Sequence, residues 1–157
     1  ALGADWSAGI WRFTGEYSGK YIADFTPTSV EPLIGSELDL SQLAALLAIP
    51  GFNIEDYVEL QVGAFNRLYN NQLKKHYNSF GLRVEGDFIY GKLLPSVMTL
   101  YNFTSHDLLM IPELKIKPAD GLTITLGAEI WSGRKGSLYD IVDEFMNGAY
   151  VSLRVDF

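Results

Sequence analysis

The chain has 157 residues, no Cys and a formal net charge of −7. This length fits a single domain, residues 1–157, the acidic balance argues against nucleic acid as a partner, and the missing Cys excludes disulfides and thiolate metal sites. No stretch approaches the roughly 18 consecutive apolar residues of a membrane helix, whereas an aromatic content of 13% and fifteen Gly favour β structure.

Alternating apolar and polar residues predict most of the regular structure. The first such window covers residues 11–25, and a hairpin at Ser18-Gly19 would divide residues 6–25 into two shorter strands. The other predicted strands are 58–68, 80–90, 93–103, 110–117, 122–131 and 149–157. The window 93–103 has apolar residues at both odd and even positions and contains Pro95, so its prediction as a strand has the least support.

Two of the predicted connections contain helix signals. Ser36-Glu37-Leu38-Asp39 resembles a capping box, and Pro50-Gly51 would end the helix that follows. Ser137-Leu138-Tyr139-Asp140 repeats that start, with Asn147-Gly148 as the stop. Two other connections, Pro118-Ala119-Asp120-Gly121 and Gly91-Lys92, predict tight turns.

The last strand, residues 149–157, ends on Phe157 with an apolar residue at every second position before it. This strand resembles the closing strand of bacterial outer-membrane β-barrels, and residues 114–127 resemble the final hairpin of porin-like members. The likeness is best over residues 108–157, about the last third of the chain. It implies an antiparallel transmembrane barrel in the bacterial outer membrane, with the lipid bilayer and the barrel-insertion machinery as partners and Phe157 as part of the assembly signal. No cofactor is implied.

Counting strands backward from a periplasmic Phe157 predicts which connections lie on each side of the membrane. Residues 69–76, 104–107 and 132–148 fall outside, and the two tight turns fall on the periplasmic side. The same count puts the long segment 26–56 on the periplasmic side, which is atypical. Seven strands are predicted, and single-chain bacterial barrels normally have an even number. We therefore expect about eight strands, or one piece of a larger barrel.

The charged residues in the predicted strands all lie on the polar parity of their strand, eight of them acidic and seven basic. In a barrel of this kind that parity faces the lumen. The candidate lumen-lining residues are Arg12, Glu16, Lys20, Glu59, Arg83, Glu85, Asp87, Glu113, Lys115, Glu129, Arg154 and Asp156. Their near balance favours Arg–carboxylate pairing in a narrow, filled interior over a strongly ion-selective pore.

The candidate chemistry outside the strands is sparse. His76 and His106 are the only two histidines, and neither has a second ligand at metal-binding spacing. Ser105-His106-Asp107 contains the residue types of a catalytic triad, but adjacent side chains on a loop rarely face one another. We therefore expect no metal site and no catalytic residues, with a lipid hydrolase as a minor possibility.

The sequence thus predicts an outer-membrane β-barrel of the porin or channel type that passes small solutes. One alternative is a small filled barrel that serves as a membrane anchor, adhesin or scaffold. The third interpretation is a soluble ligand-binding barrel, because alternation alone does not determine which face of the sheet is exposed to water.

Overall fold

The computed structural model describes residues 1–27, 40–70 and 72–156, and for residues 40–43 the backbone only. The described residues form one antiparallel sheet of seven strands in sequence order, with few helices. The strands are β1 Leu2–Ala8, β2 Trp11–Tyr21, β3 His76–Gly86, β4 Leu93–Asn102, β5 Asp107–Ala119, β6 Leu122–Ser132 and β7 Gly148–Val155. The predicted all-β class is confirmed at this level.

The sheet is open at both sides within the described residues. β7 pairs only with β6, and β1 pairs only with β2. The last strand does not pair with the strand near Trp11, as closure of the chain on itself would require, because β1 occupies the other edge of β2. The proposed hairpin at Ser18-Gly19 is wrong. β2 continues through both residues, and the chain turns earlier, at Gly9, which adopts a φ of 57°.

The connection between β2 and β3 corrects a second prediction. Residues 58–68 belong to helix α2, Ile54–Tyr69, which follows the shorter helix α1, Leu40–Leu47. Asn53 caps α2 by accepting a hydrogen bond from the Glu55 amide at 2.9 Å. Acidic residues in the first turn and Arg67 in the last turn complement the helix dipole. The predicted capping box at residues 36–39 lies outside the described residues.

The predicted helix between β6 and β7 is confirmed as α3, Leu138–Met146. The Ser137 hydroxyl accepts a hydrogen bond from the Asp140 amide at 3.3 Å, and the Asp140 carboxylate accepts one from the Gly136 amide at 2.8 Å. Asn147 ends the helix. These contacts satisfy backbone donors at the start of α3 that have no partner within the helix.

The connections of the sheet differ in length, and the two longest, residues 22–75 after β2 and 133–147 after β6, lie at the same end as the short connection 103–106 after β4. The turns after β1, β3 and β5 lie at the other end, which we call the short-turn end. There the Asp156 amide donates to the Gly121 carbonyl, which fixes the end of β7 at the same side. The connections after β2, β4 and β6 lie at the opposite, long-connection end. The count that put the segment 26–56 on the side of the tight turns treated 58–68 as a strand; because 58–68 is helical, β2 ends and β3 begins at the long-connection end.

The turn between β3 and β4 is strained. Ile89 and Tyr90 have φ values of 55° and 54°, and Gly91 follows with 79°. Positive φ at two successive positions is the geometry of a tight hairpin turn, which normally selects Asn or Gly. Ile89 is β-branched and disfavours this conformation. Both side chains are nevertheless exposed at the tip of the turn.

Candidate functional site

The register of the sheet sorts alternate residues onto two faces. Side chains of directly paired residues lie on the same side of a sheet, so the pairs Arg12–Glu85, Ser96–Glu113 and Glu113–Gly127 place the polar parities of β2 to β6 together. We call this side the polar face. Its charged positions are Asp5, Arg12, Glu16, Lys20, Arg83, Glu85, Asp107, Glu113, Lys115, Glu129 and Arg154.

The opposite side, here the apolar face, has no charged residue at any alternate position of the seven described strands. Its members are Leu2, Ala4, Trp6, Ala8, Trp11, Phe13, Gly15, Tyr17, Gly19, Tyr21, His76, Asn78, Phe80, Leu82, Val84, Gly86, Leu93, Pro95, Val97, Thr99, Tyr101, Leu108, Met110, Pro112, Leu114, Ile116, Ala119, Leu122, Ile124, Leu126, Ala128, Ile130, Ser132, Ala149, Val151, Leu153 and Val155. Much of this face is exposed: Trp6 at 63%, Val151 at 73% and Leu153 at 66% of their surface.

A belt of charged side chains crosses the polar face toward the short-turn end. Arg83 pairs with Glu85 at 2.7 Å, Lys115 with Glu113 at 3.3 Å, and Arg12 lies 3.9 Å from Asp5. All of these pairs are partly exposed, so each contributes only about 0–1 kcal/mol to stability. Together, these pairs place charges of alternating sign on a solvent-accessible surface.

Tyr150 extends this belt across three strands. Its hydroxyl donates to the Glu113 carboxylate at 2.6 Å, although β6 lies between β7 and β5. The residue of β6 between the two partners is Gly127, and a Cβ on Gly127 would collide with the Tyr150 ring. The missing side chain of Gly127 therefore lets Tyr150 lie flat against the sheet and reach Glu113.

An open depression of about 290 Å³ lies beside the belt, at the short-turn end of the polar face. Its charged walls are Arg12, Glu85, Asp87 and Lys115, two acidic and two basic groups. The Asp87 carboxylate also accepts from the Gly91 amide at 2.6 Å, which ties it to the strained turn. The charges that line the depression are thus balanced.

The long-connection half of the polar face differs from the belt. Leu100, Leu109 and Trp131 lie there in one row across β4, β5 and β6, and Leu109 is buried. Helix α3 packs on this half: the rings of Trp131 and Tyr139 meet edge to face with centroids 4.7 Å apart. The Asn147 side chain, just after α3, accepts from the Trp131 amide at 2.5 Å.

Asp107 lies under the start of α3 and is only 4% exposed. One of its carboxylate oxygens, together with Ser137 Oγ, faces the space that a side chain on Gly133 would fill. Burial, and to a lesser extent the Asp107 carboxylate, raise the pKa of Tyr139 above its ordinary value. Tyr139 therefore stays neutral at physiological pH. Gly133 is the contact point that lets α3 approach the sheet this closely.

The segment after α2 also bends toward the polar face. The Lys20 ammonium donates to the Asn70 carbonyl at 2.9 Å. The Tyr77 hydroxyl accepts from the amides of Leu73 and Lys74 at 2.9 and 3.2 Å. Lys20 and Tyr77 are direct partners across β2 and β3. Two connections at the long-connection end thus contact the polar face, one beside β2–β3 and one on β5–β6.

Most of the candidate lumen-lining residues are brought together on the polar face. Glu59 is the exception, since it lies on α2 rather than on a strand. Asp87 lies just after β3, and Asp156 lies just after β7, where it pairs with Arg154 at 2.8 Å. Phe157, the candidate assembly signal, lies outside the described residues.

Sequence reasoning missed several residues of this surface. Asp5 was missed because β1 was not predicted as a strand in its own right. Asp107 was assigned to a loop, and Trp131 and Tyr150 fell inside predicted strands without being proposed as site residues. The available signal was the continuation of alternation upstream to residues 2–8.

The loop histidines make local contacts. The His106 Nδ1 atom lies 3.1 Å from the Tyr101 hydroxyl, and the His76 ring packs against Tyr21 with centroids 5.0 Å apart. His106 thus contacts Tyr101. Within the described residues its ring forms no hydrogen bond with Ser105 or Asp107. Within residues 1–27, 40–70 and 72–156, no group of three His, Asp or Glu is placed to hold a metal ion.

Among the described residues, no helix has both the length and the apolar character needed to cross a membrane. Comparison of the chain with protein-family models, with curated proteins and with solved structures finds no match. The two-faced sheet is therefore the principal basis for a functional conclusion.

Proposed function

We propose that this chain belongs to an integral outer-membrane β-barrel of the porin or channel type, whose polar face lines a path for small solutes. The observation that carries the proposal is the apolar face, which has no charge on any of the seven described strands. Lipid tolerates such a surface, whereas each buried charge at mid-bilayer depth would cost about 2–4 kcal/mol.

The large accessible surface of the chain supports the same proposal. It amounts to 11018 Å², whereas a soluble monomer of this mass, 17.5 kDa, exposes roughly 7,900 Å². Only Ala64, Leu68, Tyr77 and Leu109 are buried apolar residues in the described chain, and none of them lies on the apolar face. A soluble barrel would instead enclose its apolar face as a core. This sheet needs an apolar environment outside itself.

The distribution of connections supports an outer-membrane orientation. Short turns at one end and long connections at the other are the pattern of outer-membrane barrels, with the short turns on the periplasmic side. With 58–68 assigned to a helix, both long connections, 22–75 and 133–147, lie at the same end of the sheet, although the connection 103–106 at that end is short. In this orientation the end of β7 lies on the periplasmic side, as the end of the closing strand does in the outer-membrane barrels that this strand resembles.

The second candidate is a filled barrel that serves as an anchor or scaffold without transport. The ion pairs of the charged belt favour it, since paired side chains can fill a narrow interior. Helix α3 favours the channel, because an eight-stranded interior is just wide enough for side chains. A helix of about 10 Å diameter on the polar face needs more room than that.

Refolding into detergent micelles and then into planar bilayers tests the proposal. We expect folding that depends on detergent, gel migration that changes on heating, and single-channel steps. A water-soluble, detergent-independent monomer would refute the membrane assignment. Correct insertion without conductance, from an assembly shown to be closed, would favour the anchor.

Arg83→Gln and Glu85→Gln provide a matched pair of variants for the conductance measurement. Both residues lie in the belt. Arg83→Gln removes a positive charge and Glu85→Gln removes a negative one, so we expect the two variants to change ion selectivity in opposite directions. Thr99→Ser, on the apolar face, is the control that should leave selectivity unchanged.

A further inference from the structure

The outer edges of β1 and β7 lack a partner strand among the described residues. Every second backbone N–H and C=O along these two strands therefore points away from the sheet. In water such groups are hydrated, but in hydrocarbon each unsatisfied group costs several kcal/mol. If the proposed membrane function holds, on which this inference rests, both edges must be covered.

The two edge strands run in the same direction. β1 begins at the long-connection end, where Leu2 lies opposite Tyr17, and ends beside Trp11. β7 also begins at the long-connection end, with Gly148 opposite Glu129, and ends with Val155 opposite Leu122. Direct pairing of β1 with β7 would therefore be parallel, whereas all six observed pairings are antiparallel.

A second copy of the chain meets the same obstacle. Copies related by rotation about a barrel axis would bring β7 of one copy beside β1 of the next, and this seam is again parallel. An antiparallel seam between two β1 strands requires one copy to be inverted. That copy would place its long connections at the end where the first has its short turns.

The width of the interior sets a lower limit on the number of missing strands. Trp131 and Tyr139 hold α3 against the polar face, which becomes the inside of a closed barrel. One additional strand would make eight, and an eight-stranded interior is filled by side chains alone.

We propose that both free edges bind further β-strands from polypeptide other than a second copy of residues 1–157, odd in number and at least three. The first and last of these strands run from the short-turn end to the long-connection end. They carry apolar residues toward the apolar face and small or polar residues toward the polar face. Antiparallel closure with β1 and β7 then follows at both seams.

Engineered cysteines test the excluded closures, and the natural chain provides a background free of Cys. Ala4→Cys of β1 is combined in turn with Ala149→Cys, Val151→Cys and Leu153→Cys of β7 in refolded protein. We expect no disulfide, either within one chain or between two. The positive control is Ala128→Cys with Ala149→Cys, which are direct partners in β6 and β7. Efficient cross-linking of β1 to β7 in any register would overturn the proposal.

A synthetic peptide of residues 122–132, the sequence of β6, serves as the probe for strand addition. We expect the peptide to protect the outward-facing amides of β7 from hydrogen exchange and to leave the amides already bonded to β6 unchanged. With Leu122→Cys in the peptide, a disulfide should form with Val155→Cys and not with Ala149→Cys. A scrambled peptide without alternation is the control. Absent protection, or cross-linking to Ala149→Cys, would refute antiparallel addition.

The stoichiometry of peptide binding tests the number of strands. We expect the edges of β1 and β7 to take up separate peptides, because one strand cannot span an interior that contains α3. A single peptide that protects both edges at once would overturn the lower limit of three. Membrane insertion is measured separately, by quenching of Trp6 and Trp11 with brominated lipid. Failure of insertion would count against the proposed function, and the edge measurements in micelles would still be readable.

Discussion

Replacing Leu126 by Arg separates a lipid-facing sheet from a water-facing one. Leu126 lies near the middle of β6 on the apolar face, directly between Leu114 and Val151. In a bilayer, Arg at mid-depth should lower the free energy of unfolding by about 2–4 kcal/mol. In water the cost should be small, because Leu126 is already 40% exposed and surface substitutions usually stay within about 0.5 kcal/mol.

Two control variants test whether the effect of Leu126→Arg depends on the face of the sheet and on depth in the bilayer. Thr125→Arg adds the same side chain one residue away, on the polar face, where we expect little loss of stability. Leu122→Arg stays on the apolar face but lies at the start of β6, beside the short turn, where the cost should fall to about 0–1 kcal/mol. The predicted order is therefore Leu126→Arg, then Leu122→Arg, with Thr125→Arg least affected.

Urea unfolding from phospholipid vesicles, followed by Trp fluorescence, measures these differences. The slope of free energy against urea should be the same in all variants, so that changes in the midpoint report stability. If Leu126→Arg and Thr125→Arg agree within about 0.5 kcal/mol, the two faces are equivalent to the solvent and the lipid-facing assignment fails.

Four further predictions concern single positions. Gly127→Ala should lower the free energy of unfolding by about 1–3 kcal/mol, because the new Cβ collides with the Tyr150 ring. Gly148→Ala is the control, since it has open space around it and should leave stability unchanged. Denaturant titration measures both variants, and equal midpoints would contradict the contact. Ile89→Asn should stabilise by roughly 1 kcal/mol by relieving positive φ, and an unchanged midpoint would contradict the strained turn. Gly133→Ala should displace α3, detected as increased proteolysis of residues 137–147, and unaltered cleavage would argue against the close contact. Deleting Phe157 should impair assembly in cells more than refolding in detergent, and equal losses in both would count against its role as an assembly signal.

The strands with regular alternation could be predicted from the sequence because a period of two is a direct consequence of strand geometry. Residues 122–131 and 149–155 were predicted nearly as found, and so was α3, whose Ser137 hydroxyl accepts from the Asp140 amide as expected. The Asp140 carboxylate accepts from the Gly136 amide rather than from that of Ser137. The polar face follows from the same signal. Its interactions across strands do not, because the Tyr150–Glu113 bond depends on register and on the space above Gly127.

The stretch 58–68 shows why alternation alone can mislead. Val58, Leu60, Val62 and Ala64 share one parity, but the same stretch follows an N-cap at Asn53 and carries acidic residues in its first turn. These helix-start signals outweigh a period of two, because they satisfy backbone donors that a strand leaves to its neighbours. Glu59 was assigned to the lumen solely through this error.

One misassigned strand has consequences far beyond its own residues. Each strand of an antiparallel sheet reverses the chain, so an extra strand at 58–68 exchanges the predicted sides of everything upstream of it. Its removal puts the end of β2 and the start of β3 at the same end of the sheet, together with the long connection after β6. Removing it leaves six of the seven predicted strands, and β1, which was not predicted, brings the observed number to seven. Because neighbouring strands alternate in direction, the first and last of seven strands, β1 and β7, run in the same direction. The number of strands is therefore odd in the prediction and in the structure alike: antiparallel closure by the described strands alone is impossible, and the shared direction of β1 and β7 fixes the direction in which a completing strand beside either of them must run.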